Sequence, residues 1–137
     1  MEKPPLAGCS ILVLEEQPFV ARCLRILLED AGAEVHGATS AGEALHCIDR
    51  TKLSAAVLDH TTGSNGLRRI AQRLARLGLP FVFCRDADQN DAWPAAPALI
   101  KPVIGVQVVE ILFRLIHTQS EKLPSVMRAG QPAASRI

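Results

Sequence analysis

The chain has 137 residues, of which 48% are hydrophobic, and a formal net charge of +1 at pH 7. This length suits one domain with a core of its own, and the hydrophobic content excludes an intrinsically disordered chain. The near-neutral charge gives no reason to expect nucleic acid or a membrane surface as a partner, and no apolar run approaches the roughly 20 residues that span a bilayer. Residues 1–5 lack the order of a secretion signal, so we expect a cytoplasmic protein.

Short apolar runs alternate with amphipathic helical patterns along the first half of the chain. The continuous apolar run over residues 10–14 is typical of a strand covered on both faces, and Pro18 suits the first turn of a helix. We expect that helix to end at Gly32 and a brief second strand to occupy residues 33–37. A second helix is predicted to follow that strand.

The helices are predicted from their caps and from their inward stripes. Thr39 or Ser40 can cap the second helix, with Glu43 placed as in a capping box. The expected inward residues are Val20, Leu24, Leu27, Leu28 and Ala31 in the first helix, Ala41, Ala44, Leu45 and Ile48 in the second, Leu67, Ile70, Ala71 and Leu74 in the third, and Val109, Leu112, Phe113 and Ile116 in the last.

The second half of the chain continues the alternation. The sequence there predicts a strand over residues 55–58 that ends in Asp59, followed by a polar loop over 61–66. A helix follows the loop and ends at Gly78 and Pro80. The remaining predicted elements are a strand over 81–84, a short strand over 98–100, and a last helix. Any helix over 86–96 would be short, because Pro94 interrupts it. After His117 the apolar pattern stops. We therefore predict an N-terminal extension over 1–8, one domain over 9–117, and a flexible C-terminal tail over 118–137.

Alternating strands and helices predict an α/β fold, doubly wound, with a five-stranded parallel sheet and helices on both faces. In such sheets ligands bind outside the carboxyl ends of the strands. The predicted strands end in Glu15 and Glu16, in Asp59, in Arg85 and Asp86, and in Lys101. Carboxylates that converge on one pocket need a cation, and oxygen ligands of this kind favour Mg²⁺. With the lysine nearby, the pocket could equally hold a phosphoryl group.

Four segments of this pattern resemble the receiver domains of response regulators. Residues 11–18 resemble the acidic opening of that family, and residues 56–59 resemble the strand that presents its phosphoacceptor aspartate. Lys101 and Pro102 resemble its closing lysine–proline pair, where the family usually has a cis peptide. Residues 79–83 are similar to those of alphaproteobacterial stand-alone receivers. The resemblance covers residues 9–117 and implies the flavodoxin-like strand order 2-1-3-4-5.

The resemblance also implies a role for each residue of the pocket. Asp59 would be the phosphoacceptor, a carboxylate nucleophile towards the phosphohistidine of a sensor histidine kinase or phosphotransferase. Glu15, Glu16, Asp59 and the backbone carbonyl of Thr61 would hold Mg²⁺. Lys101 would pair with Asp59 and then with a phosphoryl oxygen. A downstream protein target and a homodimer would be further partners.

The sequence departs from the family pattern at three positions, so the resemblance implies an atypical receiver. Glu16 replaces the aspartate that is the main metal ligand, and Mg²⁺ tolerates little change in geometry. Arg85 replaces a serine or threonine and could form a bidentate pair with Asp59 or with phosphate. Ala98 replaces the usual switch aromatic. His60, beside Asp59, should point to the opposite face of the strand.

Three functional readings therefore stay open from the sequence. The first is a phosphorylatable single-domain response regulator, a signalling module rather than an enzyme. The second is a pseudo-receiver that binds a protein partner without phosphate. The third, an unrelated flavodoxin-like enzyme, is disfavoured because no glycine-rich phosphate loop follows the first strand.

Overall fold

The computed structural model of the chain describes residues 3–59, 64–85, 98–100 and 105–125. Its elements in chain order are β1 (Ser10–Leu14), α1 (Pro18–Asp30), β2 (Glu34–Ala38), α2 (Ala41–Arg50), β3 (Ala55–Asp59), α3 (Ser64–Arg76), β4 (Phe81–Arg85), β5 (Ala98–Ile100) and α4 (Gly105–Ser125). Within the described residues, no helix is both long and apolar enough to cross a bilayer.

The five strands form one sheet in the order β2-β1-β3-β4-β5, and every pairing is parallel. This confirms the predicted doubly wound α/β fold and its strand order. The register aligns Leu14 with both Ala38 and Leu58, and Asp59 with Cys84. The carboxyl ends of β1, β3 and β4 therefore meet at one edge of the sheet.

Strand residues alternate between two hydrophobic clusters, one on each face of the sheet. The cluster under α1 and α4 includes Ile11, Val13, Val57, Val82, Leu28 and Leu112. The cluster under α2 and α3 includes Leu12, Leu14, Leu58, Phe83, Ile70 and Leu74. Both faces are apolar, which explains why the strands appear in the sequence as continuous apolar runs.

The predicted helix ends are confirmed by backbone geometry and hydrogen bonds. Gly32 follows α1 with φ of +101°, a left-handed conformation that glycine adopts readily, and its N–H donates to the Glu29 carbonyl. Ser40 caps α2, where its Oγ accepts from the Glu43 N–H at 3.2 Å. The Glu43 side chain in turn accepts from the Thr39 N–H at 2.7 Å. The second hydrogen bond of the capping box is therefore made to the residue before the cap.

The structure adds detail at both ends of the predicted domain. Leu6, placed in the predicted N-terminal extension, is fully buried in the core, and its N–H donates to the Ala31 carbonyl at 2.8 Å. At the other end, α4 continues to Ser125 and so includes residues predicted as tail. The exact domain boundaries stay predictions, and residues 126–137 lie outside the described residues.

Two predicted inward residues are wrong. Leu27 of α1 and Phe113 of α4 are both exposed, while Val108 of α4, which the stripe did not include, is fully buried. In each of these two helices several apolar residues lie close together in sequence. The sequence is therefore compatible with more than one buried face. All four predicted inward residues of α3 are buried, as expected.

Candidate functional site

Two buried acids stand side by side at the carboxyl edge of the sheet. Glu15 follows the last residue of β1, and Asp59 is the last residue of β3. Because Leu14 and Leu58 are register partners, Glu15 and Asp59 occupy the next position on neighbouring strands, which lie about 4.8 Å apart. Their solvent exposures are only 4% and 2%. The structure therefore brings together two of the acids that the sequence predicted to converge.

The alternation of side chains along the strands explains why these two acids share a face. Val13 and Val57 belong to the cluster under α1 and α4, so Glu15 and Asp59, two residues further along, point to that same face. Cys84 is the register partner of Asp59 and belongs to that cluster too. The pair thus lies above the apolar core between the sheet and the α1 and α4 layer.

Glu15 is oriented by the turn into α1. Its N–H donates to the Ala38 carbonyl at 3.0 Å, which extends the pairing of β1 with β2 by one residue. Its Oε2 accepts from the Gln17 N–H at 3.2 Å, and Gln17 is the N-cap of α1. A carboxylate at this end of a helix is stabilised by the unpaired N–H groups and the helix dipole. Glu15 therefore joins the candidate site to the start of α1.

Of the other predicted site residues, Glu16 alone has a side chain within the described structure. Glu16 is exposed to solvent. Across the described ranges, no three His, Cys, Asp or Glu side chains come close enough together to hold a metal ion. Thr61, Lys101 and Pro102 lie outside the described residues, and Arg85 is placed only as the last residue of β4, opposite Ile100. Their predicted roles, including the cis peptide before Pro102, therefore stay predictions.

The two buried carboxylates fit a Mg²⁺ ion in the way that ion is often bound. Mg²⁺ prefers oxygen ligands, keeps several of its waters, and usually takes one or two carboxylates together with phosphate oxygens rather than a full protein cage. Two adjacent carboxylates also repel each other, and a divalent cation between them offsets that repulsion. Glu15 and Asp59 therefore supply donor atoms of the kind that Mg²⁺ takes from proteins.

A cleft beside Glu15 was not predicted from the sequence. It has a volume of about 240 Å³ and lies between α1 and the β1–β2 edge, with Arg22 and Arg25 in its wall. Arg25 donates to the Val35 carbonyl at 3.3 Å and lies against Gly37, where a Cβ would sit 3.3 Å from its Nη2. The sequence feature that could have indicated this cleft is Gly37, because a glycine within a strand often marks a close approach of another group.

No protein-family model and no curated protein sequence matches the chain. Its structure does match solved structures. A sensor protein from Polaromonas sp. JS666 is 25% identical with a TM-score of 0.70, over 82% of this chain and 98% of that one. A CheY-like receiver domain protein from Methanospirillum hungatei JF-1 is 20% identical with a TM-score of 0.70, over 83% and 98%. A receiver domain protein from Clostridium thermocellum is 20% identical with a TM-score of 0.72, over 84% and 99%.

A parallel sheet in this order, with acids at the carboxyl ends of two central strands, defines a flavodoxin-like α/β protein. Within that class the chain has the fold of response regulator receiver domains, the CheY-like fold. The predicted likeness to alphaproteobacterial stand-alone receivers stays a prediction, because identities of 20–25% to these three structures do not separate one lineage from another.

Proposed function

We propose that this protein is an atypical single-domain response regulator, which accepts a phosphoryl group on Asp59 from a histidine kinase or phosphotransferase in the cytoplasm. The observation that carries this proposal is the position of Asp59. It is a buried carboxylate at the end of β3, next to Glu15, in a fold shared with receiver domains. The protein would then act as a signalling module and pass its signal on by contact with another protein.

In the proposed reaction, a carboxylate oxygen of Asp59 attacks the phosphorus of a phosphohistidine. A P–O bond to Asp59 forms, the P–N bond breaks, and the electron pair of that bond returns to the imidazole of the donor. Glu15 and Asp59 are the described residues that would hold Mg²⁺, which would offset negative charge on the phosphoryl oxygens.

The exposed side of α1 supports the expectation that the protein works by contact. Phe19, in the first turn of α1, is 78% exposed, and Ile26 is about half exposed two turns later. Cys23, also exposed, lies between them on the same side of the helix. Large apolar side chains that a fold leaves uncovered in a row are typical of protein-binding surfaces. This row begins beside the candidate site, where a phosphodonor protein would have to approach.

The first experiment is to incubate the protein with acetyl phosphate and Mg²⁺ and to follow phosphorylation by intact mass, with beryllofluoride binding followed by NMR. We expect modification of the wild type that requires Mg²⁺ and is lost in Asp59→Asn. Asp49→Asn, which removes an exposed aspartate on α2, is the matched control and should be modified like the wild type. Glu16→Asp should lower the Mg²⁺ concentration needed, because it restores the shorter metal ligand of the family.

A phosphorylation-independent binding module is the second candidate. It is favoured by the exposure of Glu16, the position where receivers have their main metal ligand, and by Arg85 and Ala98 in the sequence. A folded protein that is modified neither by acetyl phosphate nor by a histidine kinase at millimolar Mg²⁺, and whose NMR spectrum beryllofluoride leaves unchanged, would reject the first candidate and favour this one.

A further inference from the structure

Helix α3 carries its charges differently from α1 and α4. On α1, Arg25 pairs with Glu29 one turn later at 3.3 Å, and on α4, Glu110 pairs with Arg114 at 3.6 Å. Such pairs of opposite charge, four residues apart, are the usual way in which the exposed side of a helix balances its charges. The sequence of α3 contains four arginines and no acid. Its exposed side is therefore strongly basic.

The four arginines lie on the side of α3 that faces away from the core. The apolar residues of α3 belong to the closed cluster under α2 and α3. Arg68, Arg69 and Arg76 are exposed, and Arg73 is partly exposed. Residues 69, 73 and 76 are spaced by four and three, so they form one row along the helix. We call these four residues the α3 arginine face.

The stability of the helix explains only part of the α3 arginine face. The helix dipole favours cations in the last turn, where Arg73 and Arg76 lie. It gives no reason for Arg68 and Arg69, which lie in the second turn. Arginines one turn apart, such as Arg69 and Arg73, also repel each other and destabilise the helix. A local arrangement that lowers stability is typical of a functional surface.

One ion pair within the fold shows how this face binds a carboxylate. The guanidinium group of Arg73 pairs with the carboxylate of Asp49 on α2, and both side chains remain accessible to solvent. A guanidinium group presents a planar fork of N–H donors that matches the two oxygens of a carboxylate. Across the residues that the structure describes, Arg69 and Arg76 make no ion pair. They lie two turns apart, about 10 Å along the helix axis, and so present two further forks.

The other residues on this side of the molecule favour a protein partner over nucleic acid or a membrane. The sequences of α2 and α3 contain no Phe, Tyr or Trp on which a nucleic acid base could stack. Leu77, directly after α3, is the only large apolar side chain exposed there among the described residues, whereas a helix on a bilayer surface buries a row of them. The net charge of only +1 gives the chain no general attraction to a polyanion.

From these observations we infer that the α3 arginine face binds an acidic protein segment, whose carboxylates pair with Arg69 and Arg76 on either side of the Asp49–Arg73 pair. The inference goes beyond the proposed function, because α3 covers the face of the sheet opposite to Asp59 and the contact requires no phosphoryl group. Exposed ion pairs are individually weak and are screened by salt. We therefore expect a reversible complex that weakens steeply as the salt concentration rises.

The test is fluorescence anisotropy of a labelled oligoglutamate peptide, titrated with the full chain at low and at physiological ionic strength. We expect the wild type to bind this probe at low salt, to lose it as salt is added, and not to bind an oligoglutamine peptide of the same length. The double variant Arg69→Glu/Arg76→Glu should weaken the complex by about tenfold or more, because two attractions become two repulsions. Lys3→Glu/Arg114→Glu changes the net charge equally outside α2 and α3, and this matched control should bind like the wild type.

Thermal unfolding separates this role from a structural one. Arg69→Glu places a carboxylate one turn before Arg73, and this order of charges is favourable in a helix. The single variant should therefore unfold at the same temperature as the wild type or at a higher one, although it binds the probe more weakly. Circular dichroism of each variant keeps loss of folding apart from loss of binding.

Four results would overturn the inference. The first is a folded wild type that does not bind oligoglutamate at low salt, and the second is a double variant that binds it as tightly as the wild type. The third is a control that loses binding equally, since the attraction would then follow net charge rather than this face. The fourth is tighter binding of single-stranded oligothymidylate or of phosphatidylserine vesicles than of oligoglutamate at the same salt concentration, which would assign the face to nucleic acid or to a membrane.

Discussion

The two faces of the sheet differ in how completely they are covered. Under α2 and α3 the core is closed: Leu14, Leu58 and Phe83 are almost fully buried, and the two helices approach so closely that a Cβ on Gly66 would sit 2.6 Å from the Cβ of Ala41. Under α1 and α4 the apolar core gives way to two buried carboxylates at one edge and to an uncovered apolar cleft.

The difference arises within single strands. Leu14 and Leu58 point to the closed face, and the residues that follow them, Glu15 and Asp59, point to the other face. One step along the backbone thus separates a residue that packs the core from one available for chemistry. We infer that the α2–α3 face mainly stabilises the domain, whereas the α1–α4 face carries its candidate site and an uncovered apolar cleft.

The largest expected effect contrasts a phenylalanine on each face. Phe83 is buried and packs edge to face on Phe81, with ring centroids 5.6 Å apart. Phe83→Ala should lower the free energy of unfolding by about 3–5 kcal/mol, because it removes buried area and leaves a cavity. Phe113→Ala, on the open face, should cost about 1 kcal/mol or less in dilute solution. Urea unfolding measures both, and equal losses would contradict the contrast between the faces.

A smaller effect tests the close approach of α2 and α3. Gly66→Ala should destabilise the protein by about 1–3 kcal/mol, because the new Cβ overlaps Ala41 and the helices must separate. Gly42→Ala is the control, since its Cβ would meet only Ser40 Oγ at 4.0 Å, and alanine in a helix is favoured over glycine by about 1 kcal/mol. Thermal unfolding should move in opposite directions for the two variants. A stabilised Gly66→Ala protein would mean that the contact is looser than described.

The smallest effect concerns the start of α2. The backbone N–H of Thr39, and then its hydroxyl, donate to Glu43 and hold the pKa of that carboxyl below its ordinary value of 4.5. A lowered pKa stabilises the fold above the ordinary value, and the contribution is lost as pH falls through the lowered one. The stability difference between wild type and Glu43→Gln should therefore shrink on acidification. Ser40→Ala should instead cost about 1 kcal/mol at every pH, since a hydroxyl cap does not titrate there.

Much of the fold could be predicted because the residues that start and end its helices and strands act locally, through their own backbone or side-chain chemistry. The acids at the ends of β1 and β3 can be predicted from the ends of apolar runs alone. Gly32 marks a helix end through its backbone conformation, and Ser40 marks a helix start through its side-chain cap. The direction of the buried stripe in α4 could not be predicted in the same way. Helix α4 has two overlapping apolar faces, formed by Val108, Val109, Leu112 and Phe113. Packing against the sheet determines which of the two is buried.

Only part of the candidate site could be predicted, because the direction of a side chain at a strand end also depends on packing. Chain order and strand ends place Glu15 and Asp59 at one edge, but they do not specify which acid turns inward. Glu16 is exposed while Glu15 is buried, because Glu15 continues the β1–β2 pairing and accepts from the Gln17 N–H. The cleft with Arg22 and Arg25 could not be predicted, because it forms where α1 packs against Gly37, a contact between segments distant in sequence.

The first residues of the chain close the end of the core opposite the acids. Leu6 is fully buried, and a Cβ on Gly32 would come within 2.9 Å of backbone atoms of Ala7 and of the Pro4 side chain. The turn after α1 and residues 4–7 therefore pack closely against each other, and the space at Gly32 holds no side chain. As sequences of this kind diverge, any change that gives Gly32 a side chain must be accompanied by a new path for the residues before β1, so the two segments can only vary together.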